Sequence, residues 1–123
     1  MGLDTTHNCW SGSYSSFNTW RTKLCEVAGY GNLDDMHGFG GHRQWPSYSE
    51  DPLVELLYHS DCDGEIPYEN AAAIADRLQE LLPAMKTADL KDREWSEFYS
   101  SRTEQWVKGL REAAEKKENV EFF

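Results

Sequence analysis

Near the middle of the chain, eight consecutive residues concentrate side chains that could bind a metal ion or transfer a proton. Residues 59–66 have the sequence His-Ser-Asp-Cys-Asp-Gly-Glu-Ile, which contains three acids, one imidazole and one thiol. Carboxylate oxygens are hard ligands for divalent cations, whereas imidazole and thiolate are softer ligands that also act as bases and nucleophiles. We refer to residues 59–66 as the central loop and take it as the first candidate for a functional site.

Aligned on its glycine, the stretch 59–70 resembles the 12-residue calcium loop of an EF-hand. Asp61 and Asp63 take positions 3 and 5, Gly64 takes position 6, and Ile66 takes position 8. The stretch also joins two predicted helices, as that motif requires. The resemblance implies oxygen ligands for a cation such as calcium.

The departures from the EF-hand pattern fall on its strongest ligands. His59 stands at position 1, where a carboxylate is usual, and imidazole is a poor ligand for calcium. Asn70 at position 12 cannot supply a bidentate carboxylate, Glu69 lies one residue early, and Pro67 constrains the exit. The sequence therefore predicts a degenerate loop without high-affinity calcium sensing.

Two interpretations of the central loop involve no catalysis. In the first it is a tight turn in which Asp61 and Asp63 accept backbone N–H bonds and Gly64 adopts a positive φ. In the second it binds a divalent cation. The candidate metal ligands are Asp61, Asp63, Glu65 through its carbonyl, His59 and Glu69.

A third interpretation is catalytic and draws on the N-terminal segment. His59 with Asp61 or Asp63 would form an acid/base pair, and a Cys/His pair can provide an activated nucleophile. In an extended strand His7 and Cys9 would point to the same face. The candidate additional site is His7, Cys9 and Cys62. The structural alternative is an N-terminal segment tied down by apolar side chains, with a solvent-facing imidazole.

Helical periodicity supplies the elements that would position these residues. Phe17, Trp20, Leu24 and Val27 share one face of a helix predicted over about 14–28, capped by one of the serines before it and stopped by a glycine. A short apolar helix follows Asp51-Pro52 and ends near the central loop. A further helix is predicted from Pro67 to Pro83, and one long helix over about 88–116, with weak points at Ser100-Ser101 and Gly109.

The segments between these helices are less regular. Residues 29–50 are rich in glycine and are predicted to form a long surface loop pinned by Phe39 and Trp45. Both termini are predicted to be extended, and the closing Val120–Phe123 stretch either pairs beside residues 2–9 or frays. The prediction is a mainly α, single domain over 1–123 with about four helices and a long Gly-rich loop.

Charge and composition limit the classes of partner. The chain has 22 acids against 12 bases, a net charge of −10, which repels nucleic-acid phosphate and favours a basic partner or a cation. No stretch is long and apolar enough to cross a bilayer, and no signal peptide is evident. The three cysteines have no framework spacing, so we expect reduced thiols and a cytoplasmic protein.

Three strings of the chain are similar to a family of small uncharacterised bacterial and phage proteins. They are Gly2-Leu3-Asp4-Thr5-Thr6-His7-Asn8-Cys9-Trp10, the following Gly12-Ser13-Tyr14-Ser15-Ser16-Phe17, and the central loop. The closing segment 109–122 is similar too, so the resemblance covers most of the chain. It implies a free-standing protein of bacterial or phage type and brings no activity, cofactor or partner with it.

Two classes of function follow from these observations. The preferred hypothesis is a non-enzymatic binding or regulatory protein that uses an acidic surface and exposed aromatic side chains against a protein partner. A variant of it carries a divalent ion in residues 59–70. The alternative is a small metal-dependent or Cys/His enzyme with its site around residues 59–63 and His7.

Overall fold

The computed structural model describes residues 2–92 and 97–123, and within them the chain forms four α-helices and two short antiparallel strand pairs. The predicted mainly α fold class is confirmed. In chain order the elements are β1 (Gly2–Asp4), β2 (Ser11–Ser13), α1 (Tyr14–Cys25), α2 (Val54–Leu57), β3 (Glu65–Ile66), α3 (Tyr68–Lys91), α4 (Phe98–Lys116) and β4 (Val120–Glu121).

Helix α1 has the boundaries that its local sequence signals indicate. The Ser13 hydroxyl accepts a hydrogen bond from the Ser16 amide at 3.1 Å, which satisfies an otherwise unpaired N–H of the first turn. A wider π-type turn, Glu26–Tyr30, follows the helix, and Gly29 within it has a φ of +93°. The predicted glycine stop is therefore confirmed, although the regular α-helix ends at Cys25.

An aromatic cluster joins α1 to α4 at the centre of the core. The rings of Trp20 and Trp106 stack with centroids 5.8 Å apart, and Trp10 and Phe17 pack against them. All four side chains are buried, and the indole N–H of Trp20 donates to the Thr103 hydroxyl at 3.1 Å. Large rings remove much apolar surface from water, so this cluster is the main hydrophobic contact between the first and last helices.

Helix α3 does not end at Pro83 as the sequence predicted. It continues to Lys91, with Pro83 in its interior. Proline removes one backbone donor from a helix, but the buried side chains of Met85 and Ala88 continue beyond it the apolar stripe that reaches Leu82. Packing of that stripe against α4 outweighs the local cost of the missing hydrogen bond.

The single long helix predicted over 88–116 is also wrong. Residues 88–91 belong to α3, and α4 begins at Phe98; Glu94 and Trp95, which the predicted stripe included, lie outside the described residues. The buried carboxylate of Asp89 accepts hydrogen bonds from the backbone N–H groups of Tyr99 and Ser100, at 2.9 and 3.2 Å. It thereby caps the start of α4 from the end of the preceding helix.

The N-terminal segment is a small hairpin, not one continuous strand. β1 pairs with β2, and the turn between them contains a 3₁₀ segment, Thr6–Asn8, in which His7 has a φ of +60°. The C-terminus pairs as well: β4 pairs with β3, and the Phe123 amide donates to the Asp4 carbonyl at 2.8 Å. Of the two alternatives for the closing residues, contact with the N-terminal segment is the one observed, whereas the pairing of β4 with the exit of the central loop was not anticipated.

Helix α4 runs without a break through Gly109, which the sequence had marked as a weak point. A methyl group at this position would lie 2.8 Å from the His7 carbonyl oxygen and would also overlap the Cys9 thiol. Glycine is needed here because the N-terminal hairpin packs directly on the helix backbone. The residue therefore marks a close approach of two segments, not a bend.

Changing Gly109 to Ala should destabilise the protein, although alanine normally stabilises a helix interior by about 1 kcal/mol relative to glycine. We expect a loss of about 1–3 kcal/mol in the free energy of unfolding, because the hairpin must shift to admit the methyl group. Urea denaturation measures this. Ser101→Ala, at an exposed position of the same helix, is the control and should stay within about 0.5 kcal/mol of the wild type. A Gly109→Ala protein as stable as that control would contradict the packing argument.

Candidate functional site

The central loop connects α2 to β3 and is closed by the C-terminal strand. Gly64 has a φ of +85°, the left-handed conformation predicted for it, and its carbonyl accepts from the Phe122 amide at 2.9 Å. After Glu65 and Ile66 pair with β4, Pro67 stands at the N-terminal boundary of α3. The exit of the loop is therefore a short strand held by the closing segment of the chain and followed directly by α3.

The ring of His59 lies inside the turn that the central loop makes. Its Nδ1 is 2.8 Å from the carbonyl oxygen of Ser60, and its Nε2 is 3.1 Å from the carbonyl oxygen of Glu65. The ring also stacks on Phe122, with centroids 3.9 Å apart. Carbonyl oxygens accept, so a neutral ring, which carries one N–H, donates to one of them at a time. The Glu65 carbonyl, which corresponds to the backbone ligand of an EF-hand, thus has an imidazole nitrogen as its neighbour.

The acids that the sequence proposed as metal ligands are dispersed around this turn. Asp61 is partly buried, whereas Asp63, Glu65 and Glu69 are exposed. Throughout residues 2–92 and 97–123, no group of three or more His, Cys, Asp or Glu side chains is arranged to hold a metal ion. A cation bound here would have to reorganise the loop and compete with His59 for the Glu65 carbonyl.

A buried arginine fixes the start of the loop. Arg21 of α1 donates from Nη1 to the carbonyl oxygens of His59 and Leu57, at 2.6 and 3.4 Å. Its guanidinium lies between the rings of Phe17 and Phe39, 4.7 and 4.9 Å from their centroids. Such cation–π contacts compensate in part for the loss of water around the charge.

Burial disfavours the charged form of the Arg21 guanidinium. Burial lowers the pKa of its guanidinium to about 10, and the negative charge of Asp61 acts in the opposite direction. Because this pKa remains well above neutrality, the side chain is a cation at pH 7. Among the described residues its Nε has no hydrogen-bond partner. Asp61, proposed from the sequence as a metal ligand, therefore serves at least as a counter-charge for a buried arginine.

His7 forms a chain of hydrogen bonds that has the order of a catalytic triad. Its Nδ1 is 2.9 Å from the Thr6 hydroxyl, and its Nε2 is 2.9 Å from a carboxylate oxygen of Glu118. A hydroxyl, an imidazole and a carboxylate in this order can act as nucleophile, base and orienting acid. The sequence did not connect His7 with either neighbour as a reacting group.

The Thr6 hydroxyl also contacts the closing segment of the chain. Its oxygen accepts from the Glu121 amide at 2.9 Å, and its O–H is directed at the Asn119 carbonyl at 3.5 Å. With the contact to His7, three neighbouring groups hold this hydroxyl in place. These residues connect the N-terminal turn to the segment 118–121.

The cysteines do not join this cluster. Cys9 is buried, and burial raises the pKa of its thiol to about 12, so it is an unreactive thiol at neutral pH. Cys62 is exposed in the central loop, where its amide donates to the Ser60 hydroxyl. The prediction that His7 and Cys9 share a face of a strand is wrong, because His7 lies in a left-handed turn and its ring contacts Glu118 while the thiol faces Gly109.

A groove beside the central loop combines apolar and acidic side chains. It has a volume of about 450 Å³ and includes His59 in its lining. Tyr48, Val54 and Tyr58 supply ring and aliphatic surface, and Glu55, Asp63 and Glu65 supply carboxylates. We call this feature the Tyr58 groove. Sequence analysis did not identify it, because Tyr48 belongs to the Gly-rich segment and no local pattern brings it to α2.

Tyr58 is the most prominent side chain of the groove and is 45% exposed. Its ring stacks on His37 with centroids 6.0 Å apart, and its edge contacts Trp45 and Phe39. The aromatic residues of the Gly-rich segment therefore support one side of Tyr58. The exposed remainder of Tyr58 lines the groove.

The carboxylates of the groove have no cationic partner. Glu55 accepts from the side-chain amide of Asn70, 3.3 Å from each carboxylate oxygen, which holds the carboxylate in place. None of Glu55, Asp63 and Glu65 forms a salt bridge with any residue in the part of the chain that the structure describes. The groove thus presents three uncompensated negative charges around an aromatic surface.

A second cavity of about 480 Å³ adjoins the groove and shares Glu65 with it. It is lined by His7 and by further acids, Glu118 and Glu121. His7 and His59 therefore line neighbouring cavities, and Cys62 lines neither. The enzyme hypothesis required these three side chains around one cavity.

Comparison of the chain with protein-family models, curated proteins and solved structures finds no match. Among the described residues no helix is long and apolar enough to cross a membrane. The assignment of function rests on the chemistry of the groove and its surroundings.

Replacing Arg21 with Met tests whether the buried cation holds the loop. We expect a loss of about 2–4 kcal/mol in the free energy of unfolding, because two carbonyl groups would lose their donor inside the protein. Arg111→Met is the matched control. Arg111 is exposed and pairs only with Asp76 at the surface, so its change should cost about 1 kcal/mol or less. Equal losses in the two variants, measured by urea denaturation, would show that Arg21 has no special role.

Proposed function

We propose that this chain is a non-enzymatic binding or regulatory protein that docks a basic segment of a protein partner in the Tyr58 groove. The observation that carries the proposal is the combination of an exposed aromatic surface with three carboxylates that lack a salt bridge within the described residues. Apolar area contributes binding free energy, and complementary charge contributes specificity and a high association rate.

The distribution of charge supports a basic partner over other classes. The lining of the groove contains no lysine or arginine, and the chain as a whole carries a net charge of −10. A nucleic acid would be repelled by this field, whereas a cationic peptide would be attracted to it before contact. The resemblance to small bacterial and phage proteins supports a setting for this interaction in the cytoplasm of a bacterium or of a phage-infected cell.

A variant of the proposal adds a divalent ion in residues 59–70, with ligands from Asp61, Asp63 and the Glu65 carbonyl, assisted by His59 or Glu69. The acidic composition of the loop supports it. The hydrogen bond from His59 to the Glu65 carbonyl weighs against it, since an ion at this position must replace that bond.

Calcium titration separates the ion-free and ion-bound forms of the proposal. We expect millimolar calcium and EDTA to leave the melting temperature unchanged, because His59 already satisfies the carbonyl that would act as a ligand. A ligand present at one hundred times its dissociation constant would stabilise the protein by about 2.7 kcal/mol. A calcium-dependent rise in melting temperature that Asp61→Asn abolishes would establish the ion-bound form instead.

The alternative function, a small metal-dependent or Cys/His enzyme, has less support in this geometry. Both ring nitrogens of His7 and of His59 are engaged by neighbouring oxygens. The Cys9 thiol is buried and its pKa is raised. Binding in the Tyr58 groove requires no rearrangement of these groups.

Neutralising the groove should weaken binding to basic peptides. The test variant combines Glu55→Gln, Asp63→Asn and Glu65→Gln, and the probes are immobilised seven-residue Gly/Ser peptides that carry zero, one, two or three lysine or arginine residues. We expect retention of the wild-type protein to rise with the number of basic residues. The variant should bind about tenfold more weakly or worse, since each exposed ion pair contributes up to about 1 kcal/mol.

The matched control neutralises three exposed acids on α3 and α4 that do not line the groove, Glu80, Glu104 and Glu115, each changed to Gln. It alters the net charge by the same amount as the test variant. Binding by the control should remain within about twofold of the wild type, because long-range attraction alone is largely screened at physiological salt. Equal weakening of the two variants would show that net charge, not the groove, determines binding, and would refute the proposed site.

A further inference from the structure

We infer that the Tyr58 groove selects arginine over lysine in its partner. This inference rests on the proposed function, because it specifies the side chain that a basic segment places in the groove. Arginine and lysine carry the same charge, so attraction to the acidic surface does not distinguish them. Selection must come from the shape of the groove and from the way in which its groups are arranged.

The exposed ring of Tyr58 favours a planar cation. A guanidinium is flat and weakly hydrated and can lie on an aromatic face, whereas an ammonium group is compact and strongly hydrated. Tyr58 is held by its stack with His37 and by T-shaped contacts with Trp45 and Phe39, while 45% of the residue stays exposed. Because these contacts restrict the ring, a guanidinium would find a surface that is already oriented.

The carboxylates of the groove provide the second reason for a preference for arginine. Glu55 is held through both of its oxygens by Asn70, and the backbone of Asn70 accepts from the Tyr48 hydroxyl at 3.4 Å. The Asn70 nitrogen lies between the two oxygens, so the outer lone pair of each oxygen stays available to the N–H groups of a guanidinium lying beside the carboxylate. Lysine can offer only a point charge at the same position.

The chain already uses this chemistry in two other places. The guanidinium of Arg21 lies between Phe17 and Phe39 and donates to backbone carbonyls. The guanidinium of Arg102 lies 4.4 Å from the centroid of Trp10 and donates to the carbonyl of Ser11. In both cases an aromatic face covers the cation and nearby oxygens take its hydrogen bonds. The Tyr58 groove presents the same combination to a partner.

The test compares four fluorescein-labelled peptides of the form Gly-Ser-X-Gly-X-Ser-Gly, in which X is arginine, lysine, asymmetric dimethylarginine or citrulline. Fluorescence anisotropy with the full chain measures each dissociation constant. We expect the arginine peptide to bind about tenfold more tightly than the lysine peptide. Dimethylarginine keeps the charge but loses N–H donors and should be intermediate, and citrulline, which lacks the charge, should bind most weakly.

Two variants test whether Tyr58 is responsible for the preference for arginine over lysine. Tyr58→Leu removes the ring and should reduce the ratio between the arginine and lysine dissociation constants to about twofold or less. Tyr58→Phe retains the ring and should keep the ratio. Thermal denaturation of each variant identifies any loss of folding, and because the readout is a ratio of two peptides on one protein, partial unfolding lowers both affinities and leaves the ratio unchanged.

The outcomes distinguish this inference from the function on which it rests. Equal binding of the arginine and lysine peptides by the wild type, with weakened binding in the groove-neutralised variant, would overturn arginine selection and leave the proposed function in place. An undiminished arginine preference in Tyr58→Leu would also overturn the assignment. If none of the charged peptides binds, both the arginine selection and the proposed function are overturned.

Discussion

A guanidinium enclosed by aromatic rings must find hydrogen-bond acceptors, because an uncompensated charge inside a protein costs several kcal/mol. Arg21 finds them in the carbonyls of Leu57 and His59, which flank Tyr58 in the chain. One side chain of α1 therefore fixes the backbone on both sides of the exposed aromatic residue of the groove. Through Phe39 it also holds the Gly-rich segment against the same region. Arg21 therefore links the hydrophobic core to the groove.

The features that the sequence predicted correctly depend on contacts between residues close together in the chain. The cap at Ser13, the helix stop at Gly29 and the positive φ of Gly64 each follow from the chemistry of one residue and its neighbours. The amphipathic stripes of α1 and of the first part of α3 were similarly visible, since periodicity is a local property. The fold class followed from these elements alone.

The errors arise where distant residues outweigh a local signal. Pro83 is a strong helix breaker in isolation, yet α3 continues because its apolar stripe packs on α4. The break after α3 is set by Asp89, whose role as a cap is apparent only when Tyr99 and Ser100 fold back to meet it. The groove was missed for the same reason: Tyr48 reaches Asn70 across 22 residues, and no periodic pattern encodes that contact. Within the central loop, the His59 carbonyl accepts from Arg21 and Glu65 pairs with β4, contacts that depend on distant residues and that no local pattern indicates.

The pairing of the last residues with three distant segments has a consequence for how the protein reaches its native state. β4 pairs with β3, Phe123 pairs with Asp4, and the side chain of Asn119 accepts from the Tyr68 amide at the start of α3. Contacts of this sequence separation form late, because a large loop must close before any of them is gained. The hairpin, the central loop and the first turn of α3 thus share one late-forming set of contacts with residues 118–123, so loosening that segment would loosen all three regions together.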